Sequence, residues 1–247
     1  MSDTDTYIYG IHPVSEALSG KETKVERIYI KEGLRSKAIH TILELASSKR
    51  VPVTDIQGRK IHELVGKVND QGIIARMAET SYLELEDWLP QIDVSANPFI
   101  IILDEIEDVH NFGAILRSAA AAGAAGVIVP KHRQAPVNAT VYKTSAGTAG
   151  KIPIIRVTNV NQTLQTLKDY GFWTAALDHK GTQTIWEIDY NTPMALIIGS
   201  EGHGVRKKTL DYSDFILSIP MENGVESLNA SVSAALLMFE IQRRKYS

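Results

Sequence analysis

Phe99-Ile100-Ile101-Ile102-Leu103 is apolar at every position, and Val127-Ile128-Val129 and Leu196-Ile197-Ile198 repeat the pattern. A strand with one wet face alternates apolar and polar residues, whereas a strand covered on both faces does not, so these runs predict a parallel sheet between helical layers. Candidate strands Phe99–Leu103, Val127–Val129, Ile152–Val157, Phe172–Leu177, Met194–Ile198 and Phe215–Ile219 are interleaved with helical stretches Phe112–Ala122, Asn138–Ala146 and Val160–Asp169. Ser227–Arg244 reads as a last helix. The alternation predicts an α/β fold. Ligands of such sheets gather at the carboxyl ends of the strands, where the turns at Asp104, Gly199 and Pro220 fall.

The 247 residues allow one large domain or two smaller ones. Upstream of the apolar runs, strands Val25–Ile30 and Val51–Thr54 and helices His12–Leu18, Ser36–Ser47 and Gln57–Val65 predict a small α/β domain over residues 1–78. Residues 79–97 hold five acids and no base and end Ser95-Ala96-Asn97-Pro98, which reads as a linker with a short amphipathic helix around Leu83–Leu89. Residues 98–247 form the second domain. The net charge of −3 comes from that acidic segment, so basic patches for a nucleic-acid partner remain open. The absence of cysteine excludes disulfides and thiolate zinc sites and is compatible with a reducing cytoplasm. The acidic start Met1–Asp5 shows no secretory h-region, no apolar run reaches membrane-spanning length, and no histidine spacing indicates a metal site.

Three constellations carry chemistry. Asn111-Phe112-Gly113-Ala114-Ile115-Leu116-Arg117 follows the strand ending at Asp104, with Asn111 placed to cap a helix and Arg117 six residues on. By itself this is a capped, tightly packed helix with a surface arginine. Gly199-Ser200-Glu201-Gly202-His203-Gly204 follows an apolar strand. It lacks the Gly-Lys-Ser/Thr of a phosphate loop, and its glycine order is not that of a dinucleotide fold. It suits a nucleoside without a pyrophosphate, such as S-adenosylmethionine, or is a plain loop. Ile219-Pro220-Met221-Glu222-Asn223-Gly224 leads into Ser227-Leu228-Asn229, where Ser227 or Asn229 can cap the last helix or face a ligand.

In this order and spacing the three motifs resemble those of the SpoU/TrmH family of RNA ribose 2′-O-methyltransferases, in the SPOUT superfamily. The first matches N-x-G-A-I-x-R and the second I-x-G-x-E-G-x-G. The third matches I-P-M-x-G-x-x-x-S-L-N-x-S-V, except that Glu222-Asn223 stand where one residue usually separates Met from Gly. Residues 98–247 carry this resemblance. Residues 7–78, opening Tyr9-Gly10-Ile11-His12-Pro13, resemble the substrate-binding extension of the ribosomal-RNA branch, an L30e-like domain. The resemblance implies a trefoil knot in the C-terminal third, a homodimer with catalytic residues near the subunit interface, and S-adenosyl-L-methionine as co-substrate. It assigns cofactor contacts to Gly199, Gly204, Ile219, Met221 and Leu228, and catalytic work to Asn111, Arg117, Glu201, Ser227 and Asn229.

A ribose 2′-hydroxyl is a poor nucleophile at neutral pH, so the reaction needs alignment and a destination for the proton. A guanidinium normally stays protonated, which favours Arg117 as a phosphate clamp and alkoxide stabiliser over a literal base. Glu201 would orient Arg117 or accept the proton through water. The basic stretches Lys131-His132-Arg133 and Arg206-Lys207-Lys208 would border an RNA groove or be solvated surface, and Tyr7, Tyr9 and Tyr29 would stack on bases or pack. The expected reaction is methylation of a guanosine 2′-hydroxyl in 23S rRNA. The alternatives are the same chemistry on tRNA and a non-catalytic RNA-binding or ribosome-assembly protein of this fold.

Overall fold

A computed structural model describes residues 6–19, 25–78 and 82–246. In chain order the elements are β1 (Thr6–Tyr9), α1 (Ile11–Ser19), β2 (Val25–Lys31), α2 (Lys37–Ser48), β3 (Val53–Ile56), α3 (Gly58–Val65) and β4 (Ile73–Met77). Then come α4 (Leu85–Trp88), β5 (Phe99–Asp104), α5 (Val109–Ala122), β6 (Val127–Pro130) and α6 (Ala139–Thr144). The remainder is β7 (Ile154–Val157), α7 (Val160–Asp169), β8 (Trp173–Leu177), β9 (Gln183–Thr184), β10 (Met194–Gly199), α8 (Lys207–Asp211), β11 (Phe215–Ser218) and α9 (Ala230–Lys245). The chain forms two compact units, one running to Ser81 and including Pro136–Lys151, the other of Tyr82–Ala135 and Ile152–Ser247.

The first unit is a four-stranded sheet in the order β1-β4-β2-β3, with β4 antiparallel to both neighbours and β2 parallel to β3. Apolar positions of α1 and α2, among them Val14, Leu18, Ile39 and Ile42, are fully buried. Ser36 caps α2 by accepting from the Ile39 backbone N–H. The helix expected at Asn138–Ala146 forms as α6, capped by Asn138, but it packs within this first unit. Lys143 Nζ lies 4.8 Å from the centre of the Tyr9 ring, and Lys151 pairs with Glu16. Local patterning located this helix but carries no information about which sheet it joins. Strands β1 and β4 were not foreseen, because Thr6–Tyr9 and Ile73–Met77 are short and flanked by residues without an apolar rhythm.

The second unit is a seven-stranded sheet in the order β7-β6-β5-β10-β8-β11-β9, with every pairing parallel. All six positions of β5 and of β10 are buried, as their unbroken apolar character requires. Alternate residues Ile100, Ile102, Ala195 and Ile197 pack with Leu164 and Leu167 of α7 and with Trp88. Helices α5 and α9 pack together, with small residues Ala119 and Ala234 buried and Leu237, Met238 and Ile241 fully covered. Each such aliphatic side chain contributes roughly 1.5–3 kcal/mol by burial. β10 enters late in the chain yet lies between β5 and β8, both laid down before it.

Residues 79–97 read from the sequence as a linker, but from Tyr82 onward the segment is built into the second unit. The Leu83 N–H donates to the Ile154 carbonyl at 2.9 Å and its own carbonyl accepts from Arg156 at 3.0 Å, which covers the edge of β7. Trp88 is buried so tightly against Gly126 that a Cβ there would stand 2.6 Å from the indole. Its four acids Glu84, Glu86, Asp87 and Asp93 face solvent while Leu85, Trp88 and Leu89 supply core, so its composition masks its packing.

Candidate active site

The carboxyl ends of four adjacent strands form a row. Gly199 at the end of β10 is in register with Asp104 at the end of β5, Ile198 with Leu177 of β8, and Leu177 with Leu217 of β11. After Gly199 the chain turns back on itself: the Ser200 N–H donates to the Gly204 carbonyl at 3.2 Å, and the Gly204 N–H donates to the Ser200 carbonyl at 2.8 Å. A Cβ on Gly199 would stand 2.0 Å from the Gly204 carbonyl carbon, so only glycine admits this closure. Val205, next in sequence, is buried in the α7-side core.

Arg206 fixes the far end of the turn. Its backbone N–H donates to Asp104 Oδ2 at 3.0 Å, and its Nη2 lies 2.6 Å from Asp104 Oδ1, a carboxylate with no solvent exposure. Nη1 pairs with Glu105 Oε1 at 3.2 Å, and Arg133 approaches the other oxygen of Glu105 at 3.5 Å. Of the basic stretches marked in the sequence, Arg133 and Arg206 are therefore committed to this clamp. Sequence reasoning missed it, since Asp104 and Arg206 lie about a hundred residues apart and neither belongs to a motif.

Three of the expected site residues come together. Asn111 Nδ2 donates to Glu201 Oε1 at 2.7 Å, Asn229 Nδ2 donates to Asn111 Oδ1 at 2.9 Å, and Asn229 Nδ2 also donates to Glu201 Oε1. One residue from each motif thus meets at a single carboxylate. Asn111 does not cap α5; Asp108 does, accepting from the Asn111 N–H at 2.7 Å. That places Asn111 inside the first turn and frees its carboxamide for Glu201. Asn229 does cap α9, with Oδ1 accepting from the Ser231 and Val232 N–H groups. Its Nδ2 remains available to the cluster, so capping and site-building use opposite ends of one amide.

Arg117 does not join them. Among the described residues its side chain has no hydrogen bond or ion pair, and Glu201 is held by two asparagines instead of orienting it. Six residues along a helix is about 9 Å of rise and about 120° of rotation from Asn111. Arg117 is exposed, and its helical neighbours Ala114 and Ser118 line an open groove between α5 and α9 with Trp186, Val232, Leu236 and Phe239. Ser227 is exposed and makes no hydrogen bond among the described residues. Gly204, Ile219, Met221 and Leu228 are partly buried along the loops that follow β10 and β11, while Gly199 is buried. Among the described residues no group of three or more His, Asp or Glu side chains is placed to hold a metal ion, and no helix is long and apolar enough to cross a membrane.

Comparison with known proteins gives this arrangement a class. Residues 98–239 match the SpoU rRNA Methylase family, and residues 7–83 match the RNA 2'-O ribose methyltransferase substrate-binding family. A TrmH family tRNA/rRNA methyltransferase of Bacillus subtilis, YacO, is 36% identical over 246 residues, covering 99% of this chain and 98% of its own. The 23S rRNA (guanosine-2'-O-)-methyltransferase RlmB of Pseudomonas putida is 36% identical over 241 residues, covering 96% of each. The crystal structure of the SpoU methyltransferase AviRb from Streptomyces viridochromogenes, in complex with AdoMet, shares the fold at a TM-score of 0.82 and 24% identity, over 98% of this chain and 91% of that one. The class is RNA ribose 2′-O-methyltransferase, with a substrate-binding unit preceding a catalytic sheet. Within it, this chain belongs to the SpoU rRNA methylase family.

Proposed function

We propose that the protein methylates a guanosine ribose 2′-hydroxyl in 23S rRNA with S-adenosyl-L-methionine, acting as a homodimer. The observation that carries the site is the convergence of Asn111, Glu201 and Asn229 on one carboxylate at the strand ends. The glycine turn fits a sulfonium nucleoside better than a phosphate. It presents backbone and one carboxylate, and the adjoining Arg206 is engaged by Asp104 and Glu105. Gly199, Gly204, Ile219, Met221 and Leu228 would hold the adenosine and methionine parts. When bound, S-adenosylmethionine supplies an electrophilic methyl group.

Glu201 Oε1 is saturated by the two asparagine amides, which leaves Oε2 free among the described residues to accept the 2′-hydroxyl proton through water. Arg117 clamps the neighbouring phosphate and stabilises the developing alkoxide. Ser227 contributes a hydroxyl that positions the phosphate. The rotation of Arg117 away from Glu201 supports an assembly in which the arginine of one protomer serves the cleft of the other. The groove beside Arg117 supports the same assembly, because Trp186, Val232, Leu236 and Phe239 are each more than two-fifths exposed. The late insertion of β10 between β5 and β8 supports the trefoil knot implied by the family resemblance.

The 36% identity to RlmB across nearly the whole chain favours guanosine in 23S rRNA. The YacO name, which spans tRNA and rRNA, keeps tRNA as the second reading. Mapping ribose methylation in rRNA and tRNA from cells with and without the protein tests the choice. Loss of one guanosine methyl in 23S rRNA is expected; loss of a tRNA methyl instead overturns it.

A further inference from the structure

One acidic side chain in the row of strand ends takes no part in either the asparagine–glutamate cluster or the arginine clamp. Asp178 immediately follows β8, and its side chain is 6% exposed. Its Oδ1 accepts from the Lys180 N–H at 2.9 Å and lies 3.4 Å from His179 Nδ1. Its Oδ2 receives no hydrogen bond among the described residues. That oxygen lies 3.2 Å from the point a Cβ on Gly204 would occupy, so it looks onto the bare side of the glycine turn.

The backbone pins the carboxylate in this place. The Asp178 N–H donates to the Leu217 carbonyl at 2.9 Å, and the Gly181 N–H donates to the Asp178 carbonyl at 3.0 Å. Gly181 crosses the end of β11 so closely that a Cβ would stand 2.4 Å from the Leu217 carbonyl carbon. The loop over residues 178–181 is therefore wedged between the glycine turn and the end of β11. A carboxylate is acceptor-only, and one with a single oxygen occupied calls for donors on its other oxygen. A vicinal diol offers two. Lys180 and His179 stand beside it in the same loop, which disfavours a cationic ligand group and favours a neutral donor.

We propose that Asp178 is a co-substrate-binding residue whose free Oδ2 accepts hydrogen bonds from the ribose 2′- and 3′-hydroxyls of the adenosine moiety. The inference rests on the methyl-transfer reading and adds to it a side chain outside all three motifs. An acidic residue reading a nucleoside diol is the same chemistry used at the strand ends of dinucleotide folds.

The test is calorimetric titration of the full chain, in the wild type and in Asp178→Ala and Asp178→Asn, with two probes. S-adenosylhomocysteine carries diol and amino acid, whereas 5′-methylthioadenosine carries the diol alone. Both probes are expected to lose affinity by a similar factor, roughly ten- to a hundredfold in the alanine variant, as for a lost hydrogen bond to a charged group. Asp178→Asn keeps an acceptor for Lys180 and guards against a folding defect, which unfolding midpoints would reveal. Unchanged affinity for both probes in a folded variant overturns the proposal. So does a loss confined to S-adenosylhomocysteine, which would assign the carboxylate to the amino-acid end. A wild-type chain that binds neither probe would instead sink the methyl-transfer reading itself.

Discussion

Asn111 Nδ2 donates to Glu201 Oε1 at 2.7 Å, joining the first turn of α5 to the glycine turn across ninety residues of chain. The same oxygen receives Asn229, which leaves Oε2 without a hydrogen bond among the described residues. Glu201→Gln is expected to lower methyl transfer at saturating co-substrate while leaving S-adenosylhomocysteine affinity near that of the wild type. Asn111→Asp should be worse than Asn111→Ala, because it sets a second carboxylate against the first. Single-turnover assays on these variants and their pairwise combinations read the coupling directly. Fully additive effects of Asn111 and Asn229 would mean that the cluster does not act as a unit.

Arg117 stands apart from that cluster, exposed and unpaired among the described residues. Loss of about 3 kcal/mol of transition-state stabilisation slows a step by roughly two decades. Arg117→Ala is therefore expected to reduce turnover on that scale with co-substrate binding retained. Arg117→Lys should recover little, since an ammonium lacks the planar fork that grips phosphate. Near-normal turnover in the alanine variant would remove Arg117 from the mechanism.

The Arg206 clamp makes a stability prediction. Asp104 has no solvent exposure, and Arg206 supplies both its cationic partner and a backbone donor. Arg206→Ala strands a buried carboxylate and is expected to cost about 3 kcal/mol, the low end for a broken buried pair because the guanidinium is partly exposed. Adding Asp104→Asn should restore much of the loss. Denaturant midpoints of the two single variants and the double variant decide the matter; a double variant less stable than Arg206→Ala alone would contradict the pairing.

Glu240 on α9 gives an acid-range signature. Hydrogen bonds from Arg243, and then from Arg244, outweigh the burial that opposes them and hold its carboxyl at about 2, against an ordinary 4.5. A depressed carboxylate stabilises the fold fully above its unfolded value, and that contribution disappears as the pH falls toward its folded value. Unfolding midpoints of the wild type should therefore drop between pH 4.5 and about 2. Glu240→Gln should be less stable at neutral pH and show a shallower fall across that window, measured by thermal scans at fixed ionic strength.

The sheet strands were legible because burial on both faces leaves an unbroken apolar run, as in β5 and β10. The three motif residues that meet were legible because each lies where a strand end or helix start must fall. Less was visible where an interaction spans the chain without a local pattern. Asp104 and Arg206 look like ordinary surface charges in sequence, and Asp108 rather than Asn111 supplies the α5 cap although both are good capping residues. Residues 79–97 read as a linker because their charges outnumber Leu85, Trp88 and Leu89, yet those three side chains decide the packing. The placement of α6 with the first sheet is a tertiary choice that helix periodicity cannot encode.

The groove between α5 and α9 bears on assembly. Trp186 is 49% exposed and Phe239 44%, and Arg244 holds the Trp186 carbonyl while its guanidinium lies 5.3 Å from the centre of the Tyr190 ring. The aromatic face is thus open to water beside a tethered backbone, which is costly for a lone protomer and suits a self-complementary contact. If the proposed homodimer forms through this face, Trp186→Asp and Phe239→Asp are expected to yield monomers in sedimentation velocity, with little change in the unfolding midpoint of the protomer. If Arg117 serves the opposite cleft, these monomers should lose methyl transfer while still binding S-adenosylhomocysteine. A monomer that methylates RNA at the wild-type rate would show that the arginine acts within its own chain.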